Sequence, residues 1–268
     1  MTSAQKLIKY LALAFAVFLV CAIALGLFEG INALLGIEVT KDIGTKYLYS
    51  YDIPVEVNEM EINISAADLR IIEGDKFSVN TDDEDIICET VGNILKIGDK
   101  KSFKVASDGA VVIEIPDVKQ FERVKLSAGA GEVTVKSLVC EKLRIDLGAG
   151  DASFNELFVS GSAEINCAAG EFSVRSGEIN GLDMELAVGD VSLECGLTGK
   201  SEINCGIGDI NIILPEEAAF YRIKLDKGVC TATFNGKSME DDTVYGDGEN
   251  RIEIDGAVGD ISIRTAKK

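Results

Sequence analysis

Glu132, Asp151, Glu171, Asp190, Asp209 and Asp260 each stand directly after a glycine, and the first five of those glycines are spaced 19, 20, 19 and 19 residues apart. On a chain that winds at that period the acids fall into one column, with like charges one coil apart repelling at every step. A carboxylate column of this kind has two uses. It can gather a divalent cation, calcium being the one that takes six to eight oxygens at about 2.3–2.6 Å. Alternatively it sits at solvated turns and accepts backbone N–H groups. Calcium-binding nonapeptide coils carry a denser G-G-x-G-x-D pattern than this one, and Val229, after Gly228 in the next copy, interrupts the column. The solvated turn is therefore the reading adopted: no cofactor is expected, and calcium is the one metal the column leaves open.

Other chemistry is thinner. The chain has no histidine, which removes Ser-His-Asp, Cys-His and histidine-bearing zinc constellations. A polysaccharide-active β-helix enzyme working with Asp, Arg and Lys stays a minor alternative, but such enzymes need clefts built from long loops, and a period near 19 leaves little room for them. There is no tryptophan to stack on sugars. No enzyme activity is expected. Cys88, Cys140, Cys167, Cys195, Cys205 and Cys230 show no CxxC spacing, so buried thiols are expected rather than a disulfide framework.

The elements that would position the acids are legible in the repeat itself. "KLSAGAGEVTV" from Lys125, "RIDLGAGDASF" from Arg144, "EINCAAGEFSV" from Glu164, "DMELAVGDVSL" from Asp183 and "EINCGIGDINI" from Glu202 align on the glycine. A degenerate copy, "RIKLDKGVCTA" around Gly228, follows, and after a polar insertion, "NGKSMEDDTVYGDGEN", comes a last copy, "EIDGAVGDISI", around Gly259. Apolar and polar residues alternate within each copy, the signature of strands with one buried face. Five residues before the glycine the column reads Leu126, Ile145, Ile165, Met184, Ile203, Ile223, Ile254; two after, Val133, Ala152, Phe172, Val191, Ile210, Cys230, Ile261. Three before, it reads Ala128, Leu147, Cys167, Leu186, Cys205, Leu225, Gly256, an alternation of large and small. The fold expected is all-β, a parallel β-solenoid or β-helix with coils of about 19–20 residues; an antiparallel sandwich of hairpins is the structural alternative. Residues 51–122 read as irregular first coils, with Ala67-Asp68-Leu69 an early copy of the turn, and residues 123–268 as the regular repeats.

Before the strands, Leu11–Phe28 is an unbroken uncharged apolar run that would span roughly 27 Å as a helix. Lys6 and Lys9 precede it and Glu29 follows, so residues 1–10 are expected in the cytoplasm, residues 11–28 to anchor the chain as one transmembrane helix, residues 29–50 to link, and the β region to lie outside. Ala22-Ile23-Ala24 imitates a cleavage site, which leaves secretion after signal removal as the alternative. The net charge of −19 is read first as keeping the β region soluble, and in the alternative as a field that repels nucleic acid and attracts cations or cationic peptides.

"VVIEIP" followed by "FERVKLSAGAGEVTV", then the serial glycine-acid turns, "IILPEEAAFYRIKLDKG" and the closing "GAVGDISI" resemble the bacterial putative-adhesin family of β-strand-repeat cell-envelope proteins, a domain of unknown function. The resemblance spans roughly residues 55–263. It implies a membrane-anchored, non-catalytic adhesin or envelope scaffold, or a regulator of cell-envelope stress acting through a membrane partner or cationic ligand. It supplies no catalytic residues, and the oligomeric state stays open.

Overall fold

The computed structural model describes residues 47–100, 109–117 and 119–267. The expected anchor, residues 11–28, lies outside them, and among the described residues no helix is long and apolar enough to cross a membrane.

The repeat folds as its periodicity predicts: from Lys125 to the copy around Gly208, each copy is a coil that pairs in parallel with the next. Ile145 lies between Leu126 and Ile165, Met184 between Ile165 and Ile203, and Ile203 against Ile254. These side chains, like Val133, Ala152, Phe172, Val191, Ile210 and Ile261 on the strand after the turn, are almost wholly buried. A single coil has no interior of its own; the stack makes one continuous core, in which each buried aliphatic contributes about 1.5–3 kcal/mol. Phe154 and Phe172, in neighbouring coils, pack with ring centroids 5.5 Å apart.

The order of the last coils departs from the order in the chain. The Gly208 coil pairs not with the copy that follows it but with the last copy, Asn250–Lys267, and the intervening strand Tyr221–Phe234 lies beyond that one. The register of the degenerate copy also differs by two residues from the alignment on Gly228. Leu225 pairs with Ile254, Lys227 with Gly256, Cys230 with Gly259 and Ala232 with Ile261. Leu225 thus belongs to the column headed by Leu126, Ala232 rather than Cys230 to the column of Val133, and the large-small alternation ends at Gly256 and Lys227.

Both departures have a physical cause. The turn glycines adopt φ of 122° to 146°, and a Cβ at Gly259 would sit 2.0 Å from the Gly208 carbonyl oxygen, so only a glycine at positive φ continues the column. Gly228 has no such φ. It lies instead over Ala257, whose oxygen is 2.5 Å from where its Cβ would be, in the column of small residues two before the turn. A slip of two keeps every inward side chain inward, and it sets Cys230 rather than a glycine beside Gly259.

The first coil is intercalated in the same way. Strands Glu59–Ala66 and Asp68–Glu73 pair on one side with Phe121–Ala130 and Val133–Ala149, and on the other with Ile94–Asp99 and Ala110–Ile115. The region read as irregular early coils therefore holds two coils placed out of chain order. Antiparallel pairing among the described residues is confined to the two ends. Ile86–Val91 and Ser78–Thr81, with Tyr49–Asp52 outside the latter, close the first end. Lys237–Ser238 and Thr243–Tyr245, from the polar insertion, close the other. Met239 turns inward there, 1% exposed, and its N–H bonds to the Ala232 carbonyl at 2.8 Å. The insertion is a cap over the last edge, covering strand groups that would otherwise recruit another chain.

Candidate functional site

The six sequence-predicted acids are all exposed and come into one column. The turn that carries them also uses them. Asp151 Oδ1 accepts the Glu171 N–H at 2.9 Å, Asp190 Oδ1 that of Asp209 at 2.9 Å, and Asp209 Oδ1 that of Asp260 at 2.8 Å. Asp68, in the early copy of the turn, accepts the Glu132 N–H at 3.2 Å in the same manner. An aspartate carboxylate reaches the next coil's amide where the corner would leave that donor without a strand partner. In the terminal coil Thr231, not Val229, pairs with Asp260, so the column ends there in a hydroxyl. Among the described residues no group of three or more His, Cys, Asp or Glu converges on a metal position.

The cysteines are thiols in apolar surroundings. Burial pushes Cys140, Cys167 and Cys195 up to about 12 and Cys205 up to about 11, which keeps them protonated and poor nucleophiles at neutral pH. Cys167 and Cys205 are separated by the Leu186 coil, roughly 10 Å apart and beyond disulfide reach.

The outer surface is organised in columns too. Glu164, Asp183, Glu202 and Glu253 succeed one another on four paired coils. Cations bracket this run: Arg144 Nη1 lies 2.5 Å from Glu164, and Lys200 Nζ lies 3.3 Å from Glu202 and 3.7 Å from Glu253. A second outward column places Asp255 beside Asp226. Burial, and then the charge of Asp226, raise the Asp255 carboxyl above its ordinary value of 3.8.

A shallow depression of about 240 Å³ lies over Glu61, Glu89, Lys96 and Asp99, with Lys96 paired to Glu61 at 3.2 Å. One oxygen of Asp99 accepts the Ser65 N–H at 2.5 Å and the other is buried without a partner. That is no cleft for a polymer substrate.

Sequence reasoning missed one surface, formed by the residue between the two small positions of the turn. The residue just before the turn glycine runs Ala130, Ala149, Ala169, Val188, Ile207 and Val258, and Val229 completes the row through pairing. Ile207 is 37%, Val258 38% and Val229 76% exposed. The signal was present as the middle letter of G-x-G, but strict alternation assigns that position to the interior.

A family model described as Toastrack DUF4097 matches residues 94–264. Among solved structures, a putative cell adhesion protein from Clostridium sporogenes ATCC 15579 is 14% identical, covers 81% of this chain and 98% of its own, and has a TM-score of 0.37. A putative adhesin from Bacteroides fragilis NCTC 9343 is 17% identical, with coverages of 82% and 98% and a TM-score of 0.37. No curated protein matches the chain.

Proposed function

The chain belongs to the Toastrack DUF4097 family, and from that premise we propose a non-catalytic binding or scaffolding protein, held to the membrane by residues 11–28 and presenting its coils outside the cell. The observation that carries the reading is the surface itself. Successive coils add one exposed residue each to long columns, and the turns between the regular coils keep a nearly constant length. A surface of this kind suits an extended partner.

The test is expression of the full chain on a non-adherent bacterial host. The expectation is increased attachment to cells or matrix, with the β region accessible to added protease on intact cells; protease protection with no gain in attachment would contradict it. A regulator of envelope stress is the second reading, favoured by the acidic surface. Retrieval of one defined membrane protein with the full chain, in place of a gain in attachment, would select it.

A further inference from the structure

We propose that the corner of the last four coils, half-buried Val188 followed by the exposed Ile207, Val258 and Val229, is a docking ridge for a basic amphipathic polypeptide segment. This deepens the binding reading above, on which it rests, by naming the class of partner. At three of these corners a positive-φ glycine follows and turns the preceding residue outward, although strand alternation would bury it; Val229, followed by Cys230, joins the row through its pairing with Val258. On both sides of the ridge the neighbours are small. Ala187, Gly206, Ala257 and Gly228 lie on one flank, and Gly189, Gly208 and Gly259 on the other, with Cys230 ending that row. With at most a methyl beside them on three coils, the branched side chains stand uncovered above bare backbone. Internal packing does not ask for them, because Ala130, Ala149 and Ala169 occupy the same corner in the earlier coils.

At about 4.8 Å per coil the four side chains form a strip roughly 14 Å long. Neighbours three or four apart on a helix face are about 5–6 Å from one another, close enough to that spacing for an amphipathic helix to lie along the strip. Charge selects the occupant. The outward columns on either side of the ridge carry Asp190, Asp209 and Asp260 on one flank and Glu185, Asp255 and Asp226 on the other, and neither has a Lys or Arg on these coils. A second copy of a chain with net charge −19, or an anionic lipid surface, would set like charge against like. A segment with an apolar stripe edged by lysine or arginine satisfies both flanks.

The experiment passes a synthetic helical peptide of leucine and lysine over the full chain immobilised by its N-terminus. It compares wild type with the Ile207→Thr/Val258→Thr/Val229→Thr variant, which keeps β-branching and removes apolar contact. The expected result is binding that weakens at about 0.5 M salt and at least tenfold in the variant, on the scale of an ethyl and two methyl contacts exchanged for hydroxyls, with the melting temperature unchanged. Should the triple variant fail to fold, Val229→Thr alone, at the most exposed position, should weaken binding severalfold. Equal binding by wild type and variant, no binding to wild type, or self-association of wild type that the variant abolishes would each overturn the ridge. Attachment of cells that survives the triple variant would also overturn it while leaving the binding reading intact.

Discussion

At the scale of the residue, the turn glycines carry the fold. A Cβ at Gly189 would stand 1.8 Å from the Gly170 carbonyl oxygen at φ 136°, whereas Gly236 has φ 74° and open space around it. Gly189→Ala should therefore cost more than about 3 kcal/mol, backbone strain plus displacement of a neighbouring coil. Gly236→Ala should cost only about 1–2 kcal/mol, the conformational part. Urea unfolding of the two variants checks this; equal losses would mean that stacking places no demand on the column. Asp255 gives a prediction in pH. Its folded pKa is raised, so the ionised form is disfavoured in the native state, and the resulting penalty is present above that pKa and vanishes as pH falls below 3.8, the unfolded value. Asp255→Asn should accordingly raise stability at neutral pH, with the gain closing in acid; a loss at neutral pH would show that the carboxylate is held by a favourable partner. The thiols offer a third measurement. In a Cys21→Ser background, Cys140 and Cys195, buried and pushed up to about 12, should resist a maleimide at pH 8 until the chain is unfolded, while the half-buried Cys230 reacts first. Rapid labelling of all of them in the folded protein would refute the continuous core.

At the scale of the element, the insertion before the last copy is what stops the stack. Met239 closes the core beyond Tyr221–Phe234, so Met239→Ala should cost about 2–5 kcal/mol. Because the last coil is held on one side only by short antiparallel strands, amide exchange should rise along Tyr221–Phe234 and stay low around Gly189; uniform acceleration would argue that the coils do not open separately. The sequence made the regular coils readable because five copies repeat period, glycine and alternation together. It hid the ends, since a copy such as "RIKLDKGVCTA" keeps its alternation under a slip of two and local pattern cannot choose between registers. Chain order also implies nothing about stacking order: intercalation of Asn250–Lys267 becomes visible only through the steric demand of Gly208 on its neighbour. The acid column was legible for the same reason as the glycines. Of the uses it could have, the cross-coil contacts to the Glu171, Asp209 and Asp260 N–H groups show the backbone acceptor.

At the scale of the whole molecule, the described coils form one core whose outer columns accumulate residue by residue, and the ridge exists only because the degenerate coil lies outside the last one. Placed in chain order and aligned on Gly228, the degenerate copy would set Lys227 between Ile207 and Val258, and the apolar strip would be broken. The order of the final coils is therefore the claim on which the rest depends. The direct measurement is oxidative cross-linking in a Cys230→Ser background. Thr233 and Ser262 are strand partners, at a separation of roughly 4.8 Å that a disulfide accepts. Thr233→Cys/Ser262→Cys should close a bridge quantitatively without loss of stability, and Asn211→Cys/Thr231→Cys, two coils apart, should not. The reverse result, a bridge between positions 211 and 231 and none between 233 and 262, would place the copies in chain order and contradict the account.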